Sequence, residues 1–454
     1  MKTAVAEPRH QTTSPLALLG GSPAVTLPVG DLFHWPITTD EDQAAAMEVI
    51  RKGLMSGTAI TKQYEKEFAQ WMGVEYALAF NNGTSSLLAA MFACGLGVGD
   101  ELICPAITYW ASALQCYSLG ATVVFADIDP ETLCIDPADI ERHISPRTKA
   151  IVAVHYLGHP CDMDAILAIA RKHGLKVIED VSHAQGALYK GRKVGSFGDV
   201  SGYSLMAGKS LVAGEGGMLT TNDRKIYERA IAFGHYERHD SELHDEAMLR
   251  HAGIPWGGIK GRMHQVSAAV GRVQLRHYDA RTAEIRKALN YFWSLLEDVP
   301  GLRPHRAKAE EGSHMGGWYM AHGLYREEEL GGLSVTRFCK AVLAEGVNPC
   351  IPGCNLPLHL HPVFNETDIY GHGRPTRIAH SDRDLRQPPG SLPVAEGIGA
   401  KVYLVPWFKH YRPEMIAQHA EAYRKVALHA EDLLADDDRN GTLGGWNLFA
   451  GSKK

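Results

Sequence analysis

The chain has 454 residues, 45% hydrophobic and 22% charged. That is longer than one hydrophobic core usually serves and too apolar for a disordered or fibrous protein. With 46 Lys and Arg against 52 Asp and Glu the formal net charge is −6, which lends no support to a nucleic-acid partner.

Along the chain, residues 1–30 are rich in Pro, Thr, Ala and Gly and read as an N-terminal extension. Its apolar stretch Leu16–Gly21 is shorter than a signal-peptide core and no small-residue cleavage pattern follows. A strand is predicted over Tyr76–Phe80, then the turn Asn81-Asn82-Gly83 and a helix from about Ser85 to Leu96. The longest apolar run, 87–99, is too short for a bilayer and is punctuated by glycines, so no membrane partner is expected. Strands follow at Glu101–Cys104, Thr122–Ala126 and Ala150–His155. Asp162 caps a helix to about His173, Gly174 ends it, and Leu175–Asp180 is the next strand. Such alternation predicts βαβ units, a mainly parallel sheet with helices on both faces, and ligands at the carboxyl ends of the strands. These elements are assigned to a large domain over 31–290, and around Arg262–Asp298 the pattern turns helical for a long stretch. A smaller C-terminal α+β domain over 291–435 is expected to hold helices at Val335–Glu345 and Pro413–Leu434, flanking a Pro/Gly/His-rich stretch from 348 to 393. A polar tail, 436–454, is expected to be loosely ordered. Eight scattered cysteines without a CxxC pair read as reduced thiols, and hence as a cytoplasmic protein.

Four features recur in one order: Asn82-Gly83-Thr84-Ser85, Thr108-Tyr109, Glu179-Asp180, and Ser204…Lys209 running into Gly214-Glu215-Gly216-Gly217. A Gly-Thr-Ser turn opening a helix presents N–H groups and hydroxyls to a phosphate, or is an ordinary capped turn. An aspartate closing a buried strand can hold a protonated ring nitrogen, or only caps a turn. Lys209, in Met206-Ala207-Gly208-Lys209-Ser210-Leu211, is set among small, weakly polar residues where desolvation would lower its pKa, as lysines that react with carbonyls require; a solvated surface lysine is the alternative. Together the features meet the needs of pyridoxal 5′-phosphate: a reacting lysine, a carboxylate for the ring nitrogen, a phosphate cup and a flat ring partner.

These motifs resemble the signature of the DegT/DnrJ/EryC1/StrS family of sugar and cyclitol aminotransferases. The resemblance also takes in Pro105-Ala106-Ile107-Thr108-Tyr109, Val154-His155-Tyr156-Leu157-Gly158, Val177-Ile178-Glu179-Asp180, Gly198-Asp199, Tyr203-Ser204 and Leu392-Pro393-Val394-Ala395-Glu396, and runs from about Pro28 to Leu434. It implies an α/β fold, that of PLP-dependent transferases of fold type I, and a homodimer with shared active sites. By matching position, Lys209 would bind the cofactor and shuttle the proton, and Asp180 would pair with the pyridine nitrogen. Tyr109 would stack on the ring, while Gly83, Thr84, Ser85 and Ser204 would hold the phosphate. Glu215 is implied near the substrate, and Trp407, in the stretch 350–411, is a second candidate substrate residue.

Two positions depart from that pattern. His183 stands where the family commonly has Gln and would donate to the cofactor's phenolic oxygen. Lys260 stands where the family commonly has an Asn that reaches the phosphate from the partner subunit. Lysine at 209, which dehydratases on this scaffold replace with histidine, favours transamination. The resemblance implies ping-pong transfer from L-glutamate or L-glutamine to a keto-sugar or keto-cyclitol. The alternatives are a sugar dehydratase or epimerase, and a non-catalytic, PLP-holding regulatory protein. The leader Leu16-Ala17-Leu18-Leu19-Gly20-Gly21-Ser22-Pro23 resembles members that aminate inosose-type cyclitols or make aminobenzoate precursors. The His- and Arg-rich stretch 350–411 reads either as a site for a phosphorylated or nucleotide-linked sugar or as a solvated basic loop. His359 with His361, and His155 with His159, lack a third ligand, so no metal is expected.

Overall fold

The structure, a computed structural model, describes residues 14–439, 441 and 443–446. Seven strands form the main sheet: β1 (Tyr76–Phe80), β2 (Glu101–Pro105), β3 (Thr122–Ala126), β4 (Thr148–Val154), β5 (Lys176–Asp180), β6 (Val200–Ser204) and β7 (Gly217–Thr221). Their order is β1-β7-β6-β5-β4-β2-β3, with β7 antiparallel to both neighbours and every other pairing parallel. Strands buried on both faces read as near-continuous apolar runs, as Thr122-Val123-Val124-Phe125-Ala126 does.

The principal helices are α1 (Asp40–Arg51), α2 (Ala59–Met72), α3 (Gly83–Ala93), α4 (Met163–His173), α5 (Arg224–Gly234), α6 (Gln265–Ser294), α7 (Val335–Ala344) and α8 (Pro413–Leu428). Helix α4 is bounded as expected, with Asp162 accepting from the Ala165 N–H and Gly174 left-handed at φ 67°. Helix α3 starts two residues before the expected position because Asn82 caps it; Asn82 Oδ1 accepts from the Ser85 N–H at 2.8 Å. The last helix is α-helical only to Leu428, and a 3₁₀ segment, Ala430–Asp436, completes it.

One apolar core surrounds the seven-stranded sheet. A second surrounds a four-stranded antiparallel sheet of β8 (Leu302–Pro304), β9 (His322–Tyr325), β10 (Ile351–Pro352) and β11 (Val402–Leu404), packed against α7 and α8. Helix α6 belongs to both: Ala268, Leu275 and Tyr278 are in the first core, and Ile285, Leu289, Phe292 and Trp293 in the second.

The described part of the leader is bound to this second core. Leu16 is fully buried, and the buried Glu345 carboxylate accepts from the N–H groups of Ala17 (2.7 Å) and Ala24 (2.9 Å) while pairing with Lys425 at 2.8 Å. Residues 447–454 of the expected loose tail, with 440 and 442, lie outside the described residues. The described remainder is attached: Asp437 accepts from the Ser334 N–H at 2.9 Å, and the Trp446 ring meets His361 edge-on at 4.7 Å.

Candidate active site

The carboxyl ends of β4, β5 and β6, the start of α3 and the loop after β6 enclose a cavity of about 340 Å³. Asp180 ends β5, its backbone fixed in register between Val154 of β4 and Gly202 of β6. Its side chain is held from two sides: Oδ2 accepts from the Ser112 hydroxyl at 2.7 Å, and Oδ1 from the Ser182 N–H at 3.0 Å. Because the Ser112 proton goes to Asp180, the 2.9 Å contact between Thr108 and Ser112 makes Thr108 the donor there. Together the two bonds fix the direction in which the carboxylate faces the cavity.

Opposite lies the first turn of α3, whose leading N–H groups have no partner within the helix. A Cβ on Gly83 would come within 2.8 Å of Ser204 Cα, and one on Gly217 within 2.3 Å of the Asn82 carbonyl oxygen. Glycine at both positions lets β6 and β7 close on the helix start, bringing Gly83, Thr84 and Ser204 to one wall of the cavity. The Ser204 N–H donates to the Ser182 hydroxyl at 3.0 Å, and its carbonyl accepts from buried Gln185 at 2.7 Å.

Lys209 lines the cavity and is only 7% exposed. Burial pulls its amine down from 10.5 to about 7, against an opposing pull from the Asp180 charge. Its backbone is fixed by the Met206 carbonyl at 2.8 Å and by the Trp35 indole, which donates to the Lys209 carbonyl at 2.9 Å. His183 is buried between the rings of Tyr156 and Tyr319, with centroids at 5.6 and 4.8 Å. Burial, helped by the nearby Lys209 charge, holds its pKa well below the usual value. Its Nδ1 accepts from the Leu157 N–H at 3.4 Å, which leaves the proton of the neutral ring on Nε2.

The cavity wall therefore unites Gly83, Thr84, Tyr109, Asp180, His183, Ser204, Lys209 and Glu215, the last exposed at the edge. Three residues of the sequence reading lie elsewhere. Ser85 is half-buried beside the cup, its N–H taken by Asn82. Trp407 does not line the cavity; its indole donates to the Gly317 carbonyl at 3.0 Å and its ring meets Tyr319 edge-on at 5.5 Å. Lys260 is exposed on the loop before α6, away from this cavity.

Nor does the basic stretch 350–411 reach the cavity. Arg377 is buried against Asn365 and Gln387, Arg383 pairs with Glu101 at 2.7 Å, and His359 contacts Glu396 at 3.0 Å. Glu179, beside Asp180, is structural. Burial alone would raise its pKa, but His155 and the N–H groups of Gly195, Phe197 and Gly198 hold it below the ordinary value. Among the described residues no group of three His, Cys, Asp or Glu side chains could hold a metal.

Ser112, Ser182 and Tyr319 went unnoticed in the sequence. Ser182 stood two residues past Asp180, a spacing that suits a turn closing on the carboxylate. Nothing local singled out Ser112 or Tyr319.

The sequence pattern of the DegT/DnrJ/EryC1/StrS aminotransferase family matches residues 36–416. The chain belongs to this family. This aminotransferase is 34% identical over 344 residues to the spore coat polysaccharide biosynthesis protein SpsC of Bacillus subtilis, covering 74% of this chain and 85% of that one. It is 33% identical over 366 residues to the L-glutamine:2-deoxy-scyllo-inosose aminotransferase of Streptoalloteichus tenebrarius, covering 77% and 83%. Among solved structures, the aminotransferase from Psychrobacter cryohalolentis superimposes with a TM-score of 0.75 at 30% identity, over 88% of this chain and 99% of that one. The aminotransferase thus has the fold expected of it, that of fold type I PLP-dependent transferases.

Proposed function

We propose that this aminotransferase uses pyridoxal 5′-phosphate to carry an amino group from L-glutamate or L-glutamine to a keto-sugar or keto-cyclitol. The observation that carries this reading is one buried lysine with an amine near neutral pKa sharing a cavity with a hydrogen-bonded carboxylate at a strand end. The residues present fit the cofactor. The Gly83–Ser204 contact leaves a helix start open for a phosphate, Asp180 suits a protonated ring nitrogen, and Tyr109 offers a flat face.

When bound, the cofactor supplies an electron sink next to the carbon whose proton is moved. Asp180, oriented by hydrogen bonds from Ser112 and Ser182, would pair with the ring nitrogen. Lys209 takes a proton from the substrate carbon and returns it, since an amine of pKa about 7 populates both forms at neutral pH. Gly83, Thr84 and Ser204, with the Ser85 hydroxyl beside them, would hold the phosphate, and the Nε2–H of His183 would donate to the phenolic oxygen. Glu215, at the cavity edge, serves the substrate side, and Trp407 stands behind Tyr319 rather than in the cavity wall.

The working unit in this reading is a homodimer, with the partner subunit's Lys260 as a point charge for the phosphate. Support comes from the loop that carries Lys260, which also exposes Ile254 (74%) and Trp256 (38%) to water. A cytoplasmic setting accords with eight buried free cysteines among the described residues. Among those residues no helix is long and apolar enough to cross a membrane. The inosose aminotransferase among the relatives supports a cyclitol or sugar ketone as acceptor.

The test is an absorption spectrum of the purified protein before and after L-glutamate or L-glutamine, followed by a screen of sugar and cyclitol ketones. Bleaching of the yellow lysine-bound cofactor by either donor is expected. A protein that takes up no pyridoxal 5′-phosphate on reconstitution refutes the reading.

A further inference from the structure

Tyr319 sits between two residues whose backbones are left-handed, Trp318 at φ 51° and Met320 at φ 50°. Bulky L-residues adopt that conformation only where their surroundings enforce it, and such strain concentrates at functional sites. Here the enforcement is visible. A Cβ on Gly317 would lie 2.4 Å from the Ser210 side chain, so the backbone is pressed against the residue next to Lys209. The Trp407 indole holds the Gly317 carbonyl at 3.0 Å, and the Ala321 carbonyl accepts from the Val405 N–H at 2.9 Å.

What the strained segment delivers is a ring. Tyr319 is 1% exposed, with Lys209 Nζ 4.3 Å from its centroid and the His183 ring at 4.8 Å. Lys209 lines the cavity and Tyr319 does not, so the ring packs behind the amine and acts through it. We propose that Tyr319 is the positioning residue of Lys209, its ring face fixing Nζ in the cavity wall and favouring the protonated amine. This rests on Lys209 being the reacting amine of the proposed function. An aromatic face attracts a desolvated ammonium through its quadrupole and gives nothing comparable to a neutral amine. The titratable groups facing Lys209 are Asp180, whose charge also favours the ammonium, His183, which burial keeps neutral, and Tyr319 itself, which in turn faces Tyr109.

The experiment is competitive acetylation of the cofactor-free protein by acetic anhydride across pH 5–10, with modification at Lys209 read by peptide mass spectrometry. In Tyr319→Phe the midpoint should stay with the wild type, because the face is retained. In Tyr319→Leu it should fall by about half to one pH unit. If Tyr319→Leu does not fold, Tyr319→Met, longer and more adaptable in packing, takes its place and should shift equally. An aliphatic variant titrating with the wild type, or Tyr319→Phe shifting as far as the aliphatic one, overturns the proposal. Labelling needs no bound cofactor, so it separates the two readings. A wild type that labels as expected yet fails to transfer amino groups refutes the proposed function alone.

Discussion

The Ser112 hydroxyl donates to Asp180 Oδ2 at 2.7 Å, joining the loop after β2 to the end of β5 across 68 residues of sequence. This bond orients the carboxylate without adding a charge of its own. Ser112→Ala should therefore lower kcat by roughly tenfold while leaving the carboxylate in place. Asp180→Asn, which removes the charge, should cost on the order of a thousandfold. Steady-state kinetics on both variants check the ranking, and equal losses would mean that Ser112 does more than orient.

Lys209 should make the cofactor-free protein sensitive to pH. Its folded pKa, about 7, lies below the 10.5 of the unfolded chain, so between those values the unfolded state binds a proton that the folded state does not. That part of the stability is complete above 10.5, falls as pH drops towards 7, and changes little below. Lys209→Met lacks this dependence. It should be more stable than the wild-type apoprotein by roughly a few kcal/mol at pH 7, the gap closing as pH rises towards 10.5. Urea unfolding at several pH values measures the gap, and a gap that does not vary with pH would contradict the depressed amine.

His183→Gln keeps a neutral donor and should stay within about tenfold of wild-type kcat/KM, whereas His183→Phe, with no donor, should lose roughly a hundredfold. The substitution also bears on acid stability. A buried imidazole held well below 6.5 stays neutral while the unfolded chain protonates, so the wild type loses stability as pH falls through 6.5. Thermal melts between pH 8 and 5 should show a shallower acid decline for His183→Gln.

Glu345→Ala should cost about 2–4 kcal/mol in urea unfolding, because it strands two backbone N–H groups and the Lys425 ammonium together. Hydrogen exchange should rise across residues 16–25, which the carboxylate ties to the second core, before it rises in the main sheet.

What the sequence revealed follows from how local each signal is. Strands β1 and β3 were read to the residue because both are short β-type apolar runs with clear turn residues alongside. Asp162 and Gly174 marked α4 because caps are decided by adjacent atoms. The cavity residues Gly83, Asp180, Ser204 and Lys209 stood out through motifs whose spacing the sheet imposes. Ser112 escaped notice because its partner is 68 residues away, and Tyr319 because its role depends on a backbone bent by contacts with Ser210, Trp407 and Val405. The attachment of the leader was not legible because Glu345, 328 residues from Ala17, is what binds it.

Helix α6 has 30 residues and, at 1.5 Å per residue, is a rod of about 45 Å. Because its first half is built into one core and its second half into the other, the two cores cannot swing apart about a loop; any rotation has to bend a continuous ladder of backbone hydrogen bonds. The two cores thus form one fixed frame around the cavity, with Glu215 exposed at its edge.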